Sequence, residues 1–167
     1  ILLTMMIPGQ LGIIPMYILV TRLGWNNDLK AIIVPGLVSA FGVFWMRQSI
    51  SAVITDEVIQ AARIDGASPW QIYTKIVFPL VRPTALVMGL FSFLNAWNDF
   101  LWPMLILDGD KLLTIQMAIA QMKEQAYLVN HAAQMGAAFF ATLPLIILFF
   151  LVSKQLVKGV MEGAIKG

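Results

Sequence analysis

The chain has 167 residues, 59% of them hydrophobic and only 12% charged, with no cysteine and a single histidine, His131. A soluble domain carries about twice that share of charge, so the mean hydropathy of +0.82 makes a bilayer the expected solvent. Without cysteine there are no disulfides, thiolate metal sites or cysteine nucleophiles, and one histidine excludes a multi-histidine metal centre. The net charge of +2 rests on scattered basic residues, which argues against a nucleic-acid partner.

The first predicted element is an uncharged span over residues 1–20, with Pro8, Gly9 and Pro15 inside it. These residues predict either a tolerated kink or a helix broken beside a transport path. The chain opens on Ile1-Leu2-Leu3, already apolar and with no basic stretch before it, so the expectation is a longer protein with further spans upstream. A second span is expected over 29–46. A third covers 84–107 and is interrupted by Asn95, Asn98 and Asp99; a fourth covers 132–152. Each is close to the roughly 20 apolar residues that a crossing helix needs. The predicted fold is therefore all-α: a single polytopic membrane domain with four spans.

Four spans place the 47–83 connection and the tail 153–167 on one side. That side carries seven basic residues and the other carries four, Arg22, Lys30, Lys111 and Lys123. The positive-inside rule assigns the richer side to the cytoplasm. Trp25, Trp45 and Trp102 fall near the expected span ends, as an aromatic belt does.

The 47–83 connection carries strong local signals. TDEVIQAARID, from Thr55, has acids in its first turn and good helix formers after them. Gly66 suits a left-handed stop. Ser68, Pro69 and Gln71 form a capping-box start for a second short helix, which Pro79 and Pro83 are expected to end. The pattern predicts a helix–Gly–helix hairpin, which could also lie passively on a membrane surface.

At QAARIDGASPWQIYTKIVFPLVRP, residues 60–83, the chain resembles the cytoplasmic loop of ABC importer permeases. Ala61, Ala62, Asp65, Gly66 and Pro79 match that pattern, and Gln60 stands where the family has glutamate. MMIPGQLGIIPMY, FGVFWMRQ, WNDFLWP and the Gly159, Gly163, Gly167 tail extend the resemblance to permeases for carbohydrate uptake. The resemblance implies a six-span subunit of a bacterial or archaeal cytoplasmic membrane. It also implies a second permease subunit, two ATPase subunits and an extracytoplasmic solute-binding protein as partners, with membrane lipid around them. ATP and Mg would be used by the ATPases and no cofactor bound by this chain. It implies further that Gln60, Ala61, Ala62, Asp65, Gly66, Ala67 and Pro79 form the coupling surface, and that the tail glycines contact the ATPases rather than forming a dimerisation stripe.

Asn95, Asn98 and Trp102 share i, i+3, i+7 spacing with Asp99 beside them. Polar groups at mid-span are expected to line a path, the alternative being helix–helix packing. No P-loop, metal set or nucleophile–base pair occurs, so no catalytic residue or metal ligand is assigned and the chain is not expected to be an enzyme. The reading is a translocation subunit of an ATP-driven sugar importer. The competing one is a gradient-driven carrier, or a scaffold whose hairpin binds another partner.

Overall fold

The computed structural model describes residues 2–109, 111–124 and 131–164, with side chains up to 122 and from 131 to 153. Every regular element among them is helical.

Pro8 separates α1 (Leu2–Met6) from a 3-10 turn (Gly9–Gly12), which leads into α2 (Ile13–Arg22). The expected first span is thus a broken helix, interrupted where Pro8 disfavours helical geometry in the residue before it. Pro15 sits in the first turn of α2, where a missing N–H costs nothing.

The expected second span is two helices, α3 (Lys30–Gly36) and α4 (Ala40–Val53). Ser39 restarts the helix as an N-cap, its Oγ accepting the Gly42 amide at 2.9 Å. The helix does not stop at 46 but runs to Val53. Trp45 therefore lies inside α4, tilted against Phe41 and Phe91, and not at a span end.

The hairpin forms as α5 (Asp56–Ile64) and α6 (Pro69–Ile72). Pro79 and Pro83 do not end the second helix, contrary to expectation. From α6 the chain passes through one π turn (Tyr73–Val77) into α7 (Phe78–Asn98). The wider turn immediately before Pro79 opens the carbonyl ladder where the proline ring would otherwise collide with it. Pro69–Asn98 is one helical stretch of 30 residues, about 45 Å long.

The chain then breaks at Asp99 and Phe100 before α8 (Leu101–Ile106). Pro103 explains the position, because its ring excludes a helical carbonyl four residues earlier, at Asp99. After α9 (Ile115–Glu124) comes α10 (His131–Ala164), 34 residues long. At about 51 Å it exceeds a hydrocarbon core of roughly 30 Å, so it projects beyond the membrane.

By length and apolarity, three helical stretches among the described residues can cross a membrane: Lys30–Val53, Pro69–Asn98 and His131–Ser153. The ties between α4 and α7 run antiparallel in sequence: Ser49 to Thr84, Trp45 to Phe91 and Gly42 to Met88. Ser49 Oγ donates to Thr84 Oγ1 at 2.9 Å, and Gly42, two turns away on α4, faces Met88, one turn on along α7. Trp97 Nε1 donates to the Ala141 carbonyl at 3.0 Å, joining the end of α7 to the first third of α10.

A separate cluster closes the opposite end. Val20, Ala31, Ile106, Leu107 and Met117 are buried there, with Met16, Trp25, Ile32, Trp102 and Leu112 packed around them. Elsewhere the helices keep most of their large apolar side chains exposed, as a chain solvated by lipid or by further helices does.

Candidate functional site

Two places in the molecule carry chemistry beyond packing, and α7 connects them. The first is the hairpin. Asp56 and Glu57 in the first turn of α5 and Arg63 in its last complement the helix dipole. The Thr55 hydroxyl, and then the backbone at Glu57, hold the Glu57 carboxyl below its ordinary range.

Gly66 ends α5 with φ +78°. Its amide donates to the Arg63 carbonyl and the Ala67 amide to the Ala62 carbonyl, both at 3.0 Å. This is the paired bonding of a Schellman stop. A Cβ at Gly66 would meet nothing within 4 Å, so backbone conformation alone demands glycine there.

Ser68 then opens α6 with a complete capping box. Its amide donates to Gln71 Oε1 at 2.8 Å, and its Oγ accepts the Gln71 amide at 3.3 Å. Both signals are local, and the sequence announced both.

Exposure divides the expected coupling residues. Gln60, Ala61, Asp65 and Gly66 are open and Ala67 is half-buried. Ala62 is buried within the hairpin. Pro79 lies in the first turn of α7, outside the hairpin. Ile72 is buried, Ile76 half-buried and Tyr73 exposed. The residues that sequence reasoning missed are Ile64 and Trp70, 86% and 71% exposed. Ile64 at the end of α5 and Trp70 at the start of α6 each leave a large apolar side chain open, one on either side of Gly66 along the chain. Two large apolar side chains flanking a glycine stop were the available signal.

The second place is a cavity of about 620 Å³ at the opposite end of α7. Ser39, Ser92, Asn95, Asn98 and Asp99 supply its polar groups, and Ile32, Leu37 and Met88 are among its apolar walls. Among the described residues no basic side chain lines it. Asn98 Nδ2 donates to the Leu94 carbonyl at 2.8 Å, which leaves its oxygen available. Asp99 Oδ1 accepts the Trp102 amide at 3.4 Å, a long bond that steadies the start of α8.

The structure therefore gathers Asn95, Asn98 and Asp99 round one space and turns the Trp102 side chain away from it. The i, i+7 relation fails because the helix breaks between Asn98 and Trp102. Trp102 instead turns into the buried cluster, where its Nε1 donates to the Ala31 carbonyl at 3.0 Å. Ser39 was missed as a lining residue. Pro35-Gly36, with Ser39 three residues on, is a stop and restart that marks the break.

Both breaks, at 37–39 and 99–100, border this cavity. Above them stand α3, of seven residues, and α8, of six. The cavity thus sits about 10 Å below their far ends, inside a hydrocarbon layer of roughly 30 Å. Backbone without helical bonding is tolerated at such depth only where protein or water satisfies it.

The tail glycines Gly159 and Gly163 lie within the backbone of α10. Their surroundings, and Gly167, lie outside the described residues.

Broken helices, a polar cavity at membrane depth and a structured loop at the far end of the same helix define a polytopic helical permease. Comparison with known proteins gives the family: residues 1–161 match the binding-protein-dependent transport system inner membrane component, and the chain belongs to it. It is 35% identical over 166 residues to the lactose transport system permease protein LacG of Rhizobium radiobacter, covering 99% of this chain and 60% of that protein. The arabinooligosaccharides transport system permease protein AraQ of Halalkalibacterium halodurans is 30% identical over 167 residues, covering 100% of this chain and 59% of that protein. The sn-glycerol-3-phosphate transport system permease protein UgpE of Pectobacterium atrosepticum is 31% identical, covering 98% and 58%. The chain thus spans about three-fifths of the length of the curated relatives it matches.

Proposed function

We propose that this chain is the membrane-spanning translocation part of an ATP-driven carbohydrate importer, working with a second permease subunit, two ATPase subunits on the cytoplasmic face and a solute-binding protein outside. The observation that carries the reading is the single helical stretch Pro69–Asn98, with the capped hairpin at one end and the polar cavity at the other. A displacement of α5 and α6 is delivered along a continuous helix to Asn95 and Asn98. A flexible linker would dissipate the same movement.

In this mechanism the open apolar side chains of Ile64 and Trp70, with Ala61, seat in the ATPase subunit. Ala62 stays inside the hairpin and keeps its two helices together. Closure of the ATPase pair moves the hairpin as a body, because Gly66 and the Ser68 box fix the angle between α5 and α6. The tail end of α10 shares that contact.

The chemistry of the cavity favours a neutral polyol. Serines and carboxamides both donate and accept hydrogen bonds. Asp99, with no basic lining residue among the described ones, disfavours a phosphate-bearing solute, although one relative's name specifies sn-glycerol-3-phosphate. Reconstitution in lipid vesicles with the ATPase and permease partners tests this. ATP-dependent accumulation of a neutral saccharide is expected, and Asn98→Leu should reduce it several-fold without loss of assembly. Uptake by the isolated chain driven by an ion gradient alone would overturn the reading.

A further inference from the structure

We propose that Asn27 and Trp102 are positioning residues which clasp the outer ends of the two broken spans together, so that α3 and α8 move as one body over the cavity. The two breaks then act as a paired hinge.

Asn27 joins the loop before α3 to the end of α8 twice. Its amide donates to the Ile106 carbonyl at 2.9 Å, and its Oδ1 accepts the Asp108 amide at 3.0 Å. These bonds require φ +57° at Asn27, the positive φ of a non-glycine residue among the described ones. Asparagine tolerates that conformation far better than most residues, and its side chain supplies the acceptor as well.

Trp102 makes the second tie, and Pro35 supplies the reason. Proline has no N–H, so the Ala31 carbonyl, four residues before Pro35, loses its helical donor. Ala31 is fully buried, where an unpaired carbonyl is costly. The Trp102 indole N–H, from α8, fills that vacancy at 3.0 Å. A defect in one broken helix is thus repaired by the other. Val20, Ile106 and Leu107, all buried, pack beside these bonds, and Asp28 holds the start of α3 by accepting the Lys30 amide.

Below the clasp the connection changes. Residues 37–39 and 99–100 carry the chain from this block to α4 and α7, and both segments border the cavity. Two independent outer ends would move separately. One clasped block tilts on both breaks at once.

The role of this block in transport rests on the function proposed above, but the clasp itself is tested without it. The chain has no cysteine, so Ala96→Cys, in the cavity wall, gives one reporter for a membrane-impermeant maleimide applied to the chain in lipid vesicles. Asn27→Ala should speed labelling about ten-fold. Asn27→Asp, which keeps the acceptor and the tolerance of positive φ, should stay within about two-fold of the parent, with Asn27→Gly between them. Trp102→Phe should also speed labelling and lower the amount of folded protein.

Adding Pro35→Ala returns an N–H to the Ala31 carbonyl. The double variant should recover folded protein while labelling stays fast. Labelling at the parent rate in the double variant would overturn the clasp, since Trp102 would then only satisfy a carbonyl. Equal labelling across the Asn27 series would overturn it too. Sugar uptake is measured separately, in vesicles holding the complete complex with ATP; its absence there for the parent counts against the transport reading and leaves the labelling comparison standing.

Discussion

Between Thr55 and Ile72 the hydrogen bonds that shape the hairpin reach no further than five residues along the chain. Around Val20 the decisive bonds span 71 and 81 positions, from Trp102 to Ala31 and from Asp108 to Asn27. The hairpin is exposed and held by caps; the outer cluster is buried and held by side chains that meet only after the whole chain has folded. A capped, solvent-facing hairpin can be gripped and moved as a unit by a partner. A buried, cross-linked cluster suits a block that must keep its shape while the helices beneath it rearrange.

Gly66→Val is the largest expected effect that separates the two regions. The left-handed conformation costs a non-glycine residue about 1–2 kcal/mol, and more for a β-branched one. Since a Cβ at Gly66 meets no neighbour, the strain is released by rotating α5 against α6. ATPase association should fall at least ten-fold in co-purification, while cavity labelling and membrane levels remain those of the parent. Loss of both together would show that the hairpin and the outer cluster are not independent.

Val20→Ala makes the converse test with a smaller effect. Val20 is 1% exposed in the outer cluster, and removing two methyl groups from such a site costs about 1–3 kcal/mol. A lower thermal midpoint is expected with ATPase association unchanged. Weakened association would contradict the division drawn here.

The hairpin was legible because each of its signals acts within a few residues: Asp56 and Glu57 at a helix start, Gly66 at its stop, Ser68 and Gln71 reading each other across one turn. Broken helices were only half legible. Pro8 marked its break, but the pauses at 37–39 and 99–100 were read through as continuous spans, because apolarity there is uninterrupted or the polar residues looked like inserts. Pro103 shows why: a proline disrupts the residue four positions upstream, away from where the sequence draws the eye. Prolines also misled in the opposite direction at Pro79 and Pro83, where one π turn let the helix continue.

For the cavity, Asn95, Asn98 and Asp99 were found because amides and acids are rare at that depth. Ser39 and Ser92 were not, since serine is common in membrane helices, and their placement depends on the packing of α4 on α7. The packing of Trp102 was not legible because its partner is a carbonyl that Pro35 leaves free, a relation no local window contains.

The central claim is that hairpin and cavity are two ends of one rigid helix, and a softened α7 tests it most directly. Leu86→Gly with Val87→Gly, in the middle of Pro69–Asn98, leaves both ends intact and lowers helix stability by about 1 kcal/mol per position. Leu86→Ala with Val87→Ala is the rigid control. In vesicles holding the complete complex, the glycine pair should keep ATPase association and hydrolysis while sugar taken up per ATP drops several-fold, and the alanine pair should behave as the parent. Uptake per ATP unchanged by the glycine pair would contradict transmission along α7.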